Sequence, residues 1–91
     1  MSFSVQANPD DMDQFASDLQ YFSSQLNDNI AALNGAFGRL GETWLDPEHA
    51  RYAEEFQETM YVLAQFIQAT DEQIPFLRRK AQRLRDFINQ R

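Results

Sequence analysis

An all-α fold, an antiparallel hairpin of two long helices, is what this sequence predicts, and three observations predict it. Apolar residues recur at alternating spacings of three and four along nearly the whole chain. Two helix-start signals of the same kind stand at Asn8-Pro9-Asp10-Asp11 and Asp46-Pro47-Glu48. Three Gly and three Pro allow few loops, and strand patterning is confined to Phe3-Ser4-Val5. The chain has 91 residues, 43% of them hydrophobic, which is one domain with enough apolar surface to fold and little to spare.

Residues 1–8 are expected to form an extended arm, with Phe3 and Val5 able to reach the flanks of the helices. Helix one is expected over about 9–42. Asn8 supplies a cap oxygen, Pro9 has no donor to lose at the first helical position, and Asp10 and Asp11 complement the positive helix end. Its apolar stripe is Met12, Phe15, Leu19, Phe22, Leu26, Ile30, Leu33, Phe37 and Leu40. Gly35, Gly38 and Gly41 fall three apart near its end, where they either admit a close neighbour or loosen the last turns.

Residues 43–46 form a connection short enough to force the hairpin, and they include Trp44, the only tryptophan. The indole is expected to lie partly buried on the turn, its N–H near water or a backbone acceptor. Helix two is expected over about 47–89, capped by Asp46, with its seam running Ala53, Phe56, Met60, Leu63, Ile67, Thr70, Ile74, Leu77, Ala81, Leu84 and Ile88. Thr70 is the one polar member. Pro75 deletes a backbone hydrogen bond and predicts a kink, yet the apolar rhythm keeps its phase, so one kinked helix is favoured over a restart at the capping box Thr70-Asp71-Glu72-Gln73.

Helix two is apolar over more than its seam. Tyr52, Val62, Phe66, Ala69, Phe76 and Phe87 lie on an adjoining flank, too wide for one facing helix to cover. A second hairpin would cover it and make a four-helix bundle, in the simplest case a homodimer.

The formal net charge of −6 disfavours nucleic-acid binding. Residues 1–38 hold five Asp and no Lys or Arg, whereas Arg78, Arg79, Lys80, Arg83, Arg85 and Arg91 crowd the end. A hairpin lays that basic end beside the acidic start, and solvated faces account for these charges better than an anionic membrane or nucleic-acid site does. With no cysteine and one histidine, no metal site is expected. His49 opens helix two, where packing or capping suits it better than catalysis. Glu54, Glu55 and Glu58 read as an outer helix face, and no phosphate loop or nucleophile elbow occurs, so neither a catalytic residue nor a cofactor is expected. The start has neither the charged nor the apolar region of a signal peptide, and no membrane span is expected. The expectation is synthesis in the cytoplasm, with any export proceeding without a cleaved signal peptide.

Two long helices, a short turn and a Trp at that turn make the chain resemble the WXG family of small helical hairpins, substrates and partners of type VII secretion systems. The resemblance spans almost the whole chain as architecture. Where that family carries Trp-Xaa-Gly, this chain has Trp44, Leu45 and Asp46, with Asp46-Pro47 capping the next helix where Gly would give a permissive turn. Tyr52 and Phe56 follow the Trp much as aromatics do in the family. The family's export tail pairs a Tyr with an acid four residues on, but here Tyr61 is followed by Gln65 and no later Tyr exists. The resemblance implies a non-enzymatic dimeric hairpin serving a secretion system as substrate, chaperone-like partner or adaptor. Its partner would be itself or a related hairpin, with a secretion ATPase or a larger effector as further candidates. The alternative is a cytoplasmic coiled-coil assembly or scaffold subunit that is never exported.

Overall fold

A computed structural model describes residues 7–90. It consists of α1, Pro9–Leu40, and α2, Glu48–Ile88, packed lengthwise as a hairpin measuring 71 × 19 × 14 Å. The sequence-predicted arm at Phe3 and Val5 lies outside the described residues.

Both starts are built as their residues require. Asn8 is extended, and its side-chain oxygen accepts from the backbone N–H groups of Asp10 (2.8 Å) and Asp11 (3.3 Å). Asp46 does the same for α2, its Oδ1 accepting from Glu48 N at 3.0 Å. Helix α1 ends at Leu40, two residues earlier than the sequence predicts. After Gly41 the chain tightens, with Glu42 N bonding Arg39 O and Thr43 N bonding Leu40 O, each at 3.1 Å, so these residues form a turn. Helix α2 is helical without interruption through Pro75, and Asp71 is free to bond outside its own helix.

The seam is lined by small side chains. Ala16 and Ala81 are fully buried, and Ser23 and Thr70 are 5% exposed; among the described residues no large side chain is fully buried. Helix α2 faces its partner with the residues the sequence predicts, save Ile88, which is 45% exposed. Helix α1 keeps Met12, Leu19, Leu26, Ile30 and Phe37 of its predicted stripe half-buried, but the line of closest contact shifts by one residue at two positions. The sequence places Phe15 and Phe22 in the seam, whereas the structure puts Ala16 and Ser23 there and leaves Phe15 53% and Phe22 49% exposed. Leu33 and Leu40 also lie on this open side. The reason is size: at Ala16 and Ser23 the helices approach closely because short side chains meet there, and a Phe at those points would hold them apart, whereas nearer the turn Phe37 and Phe56 fit between the helices by stacking. A polar bond locks this phase, Ser23 Oγ donating to Asp71 Oδ1 at 2.6 Å.

Charges join the open end of the hairpin. Arg85 of α2 bridges Asp10 (2.8 Å) and Asp13 (2.7 Å) of α1, and these two carboxylates hold the guanidinium pKa above its ordinary value. Arg78 reaches Ser17 and Gln20, both at 3.4 Å.

Candidate functional site

Two features remain once the seam is filled: the turn end and the open aromatic face. At the turn, one carboxylate organises the backbone. Asp46 Oδ1 accepts the Trp44 indole N–H at 2.9 Å and the Glu48 backbone N–H at 3.0 Å. The indole acceptor is therefore a carboxylate, where the sequence predicts water or a backbone carbonyl. The ring is half-buried, as expected.

Behind the indole lies an aromatic stack that joins both helices. Phe37 of α1 stacks on Phe56 (4.5 Å between ring centres) and lies parallel to the His49 ring at 5.3 Å. Trp44 meets His49 edge-on at 5.3 Å and Tyr52 at 5.7 Å. His49 thus packs, and its Nε2 is buried with no hydrogen-bond partner. Gly41 makes room for it: a Cβ there would stand 3.4 Å from His49 Nε2 and 3.3 Å from Gly38 O, while a Cβ on Gly38 meets nothing within 4 Å. Of the three glycines, Gly41 alone admits a close neighbour. Leu45, next to the indole, is 82% exposed, so the tip presents a free apolar side chain.

The second feature runs along one side of both helices. Phe22 of α1 and Phe66 of α2 meet edge-to-face at 6.2 Å, which places the two flanks on the same side of the hairpin. Of the flank residues read from sequence, Tyr52 is 44% exposed, Val62 60%, Phe66 50%, Phe76 54% and Phe87 48%, and Ala69 is also exposed. Tyr52 is shared with the turn stack. Phe15 and Phe22 join this face, which sequence reasoning missed by assigning them to the seam. The available clue was the pair of small residues, Ala16 and Ser23, one position further on.

Among the described residues no group of His, Cys, Asp and Glu is arranged to hold a metal, and no helix is long and apolar enough to cross a membrane. Two concavities among the described residues are shallow and open, one lined by Glu54, Gln57, Glu58, Tyr61 and Val62, and another by Gln20, Ser23, Ser24, Asn27, Ile67 and Asp71.

A slender two-helix hairpin with a Trp-organised tip and an uncovered aromatic side defines the class: a small helical-hairpin protein with a tryptophan at its turn. The model of the WXG100 family, proteins of 100 residues with WXG, matches residues 4–87, and the chain belongs to that family. No curated protein matches it. Its fold is similar to that of the secreted protein EsxB from Bacillus anthracis strain Sterne, with 19% identity and a TM-score of 0.81 over 97% of this chain and 100% of that one. A mutant of the same EsxB gives 18% identity and a TM-score of 0.79, with both chains covered in full. The family's Gly is Asp46 here, and the structure supplies its role: the carboxylate holds the indole and starts α2. Tyr61, lacking the acid of the family's export tail, instead accepts a hydrogen bond at its hydroxyl from Gln65 Nε2 at 3.2 Å.

Proposed function

We propose that this chain is a non-enzymatic subunit of a type VII secretion system, a substrate or chaperone-like partner that works as a dimer of hairpins. The uncovered aromatic face carries this reading. The hairpin exposes 7208 Å², against about 5,500 Å² for a compact monomer of 10.6 kDa. A second hairpin laid on the Phe22–Phe66 side would remove such an excess, and stable homodimers commonly bury about 2,000 Å² or more. Each half-exposed Phe that is covered contributes roughly 1 kcal/mol by area.

The tip has the other role. Trp44 is fixed by Asp46 and by the stack, so Leu45 is presented on a rigid platform that a secretion ATPase or a larger exported partner can recognise. Rigid presentation lowers the ordering cost of binding. The test is export from the native host with the neighbouring genes co-expressed, comparing the parent with Leu45→Asp. Parent protein in the culture supernatant, with the folded variant retained in the cytosol, is the expected result. Parent protein found only inside intact cells would overturn export and leave a cytoplasmic assembly subunit in its place.

A further inference from the structure

We infer that Asn34 is a modification site, where the side-chain amide cyclises onto the backbone nitrogen of Gly35 and is then hydrolysed whenever the last turns of α1 open. Water is the one co-reactant, and the reaction does not depend on what covers the aromatic side.

The chemistry follows from the pair of residues. The Gly35 nitrogen attacks the side-chain carbonyl carbon of Asn34. The new C–N bond closes a five-membered imide, and the amide nitrogen leaves as ammonia, having taken up the proton lost by Gly35. Water then opens the imide at either carbonyl, giving Asp or an aspartate joined to Gly35 through its own side chain. No electrons change hands. The attack is easy only where the following residue has no Cβ to stand in its way. Asn8, Asn27, Asn29 and Asn89 precede Pro9, Asp28, Ile30 and Gln90, so Asn34 alone is followed by Gly.

The fold decides when the reaction runs. Asn34 and Gly35 are both exposed, so water reaches them. Both also lie inside α1, where the Gly35 N–H belongs to the helical ladder and its nitrogen is held away from the side-chain carbonyl. The closed helix therefore blocks the attack. Opening costs least here, because all three glycines of the chain, Gly35, Gly38 and Gly41, fall in or just after these turns. Leu33 and Leu40 add little hold, being 49% and 43% exposed. Packing does not require a Gly at position 35. A Cβ there would have one neighbour within 4 Å, Arg39 Nη1 at an ordinary 3.7 Å. What the missing Cβ does is loosen the helix and uncover the nitrogen.

The consequence reaches the tip. The side-chain-linked product threads the main chain through Cβ and adds one carbon to the backbone, so the helical hydrogen bonds spanning residue 34 lose their register. Phe37 stands three residues on, and its ring holds Phe56 at 4.5 Å and His49 at 5.3 Å. His49 in turn packs on Trp44. Modification thus loosens the stack behind the indole, and the lost amide does not re-form. A chain that has once been opened is marked at its tip.

The test follows Asn34 in the full chain by peptide mapping and mass spectrometry, during incubation at mildly alkaline pH, both folded and in guanidinium chloride. In denaturant a gain of one mass unit should build up at Asn34 ahead of the other four Asn. The folded chain should convert more slowly by about tenfold or more. Gly35→Ala keeps the helix and should suppress the gain in both conditions. The side-chain-linked form, separated by ion exchange and refolded, should melt below the parent by circular dichroism, with Trp44 emission moved to longer wavelength. Conversion in denaturant no faster at Asn34 than at the other Asn would overturn the inference. So would equal rates in the folded and unfolded chains, or a modified chain that melts like its parent.

Discussion

Asp46→Ala tests the turn most sharply, because one oxygen accepts two hydrogen bonds there. Losing the cap on the Glu48 N–H costs about 0.5–2 kcal/mol, as at other helix starts. Losing the charged acceptor of the exposed indole N–H adds about 1 kcal/mol, since water takes over part of that bond. The sum is about 2 kcal/mol. Over 91 residues the unfolding entropy is roughly 0.19 kcal/mol per kelvin, so the midpoint should fall by roughly 10 °C. Thermal unfolding followed by circular dichroism is the assay, at one fixed protein concentration because association shifts the midpoint. Asp46→Asn keeps an acceptor oxygen and should lose clearly less. In the Ala variant the Trp44 fluorescence should move to longer wavelength as the ring is released to water. An Asp46→Ala protein as stable as its parent, or an Asn variant equally damaged, would refute the role given to this carboxylate.

Two further substitutions probe the same end. Gly38→Ala should stabilise by up to about 1 kcal/mol in urea unfolding, since helix propensity improves and a Cβ meets nothing; Gly41→Ala should fail to stabilise, because its Cβ stands 3.4 Å from His49 Nε2. His49→Phe should keep the stack on Phe37 and be at least as stable as the parent, having removed a buried nitrogen without a partner, whereas His49→Ala should lose about 2 kcal/mol by the same measurement.

The second helix was readable because its spacing leaves one continuous stripe, and most neighbours of its seam residues are polar or belong to the flank. Helix α1 was not readable to the same degree. Its apolar stripe is wide, and hydrophobicity alone gives the width without choosing the line of contact. Size made that choice, through Ala16 and Ser23 against Ala81 and Thr70, and size matters only once the partner helix is known. Trp44 and the cap at Asp46 were legible as local chemistry. The bond between them was not, because it depends on how the turn folds Trp44 back toward the start of α2. The His49 stack was hidden for the same reason, since Phe37 and Phe56 meet only when the hairpin closes.

Sedimentation equilibrium at micromolar concentration tests the central claim most directly, that the aromatic side of the hairpin is covered by a second hairpin. Twice the chain mass of 10.6 kDa is expected, falling to the single-chain mass in Phe66→Lys, whose charge lands on the Phe22 edge of that face. A parent protein that sediments as one chain while unfolding cooperatively would contradict it.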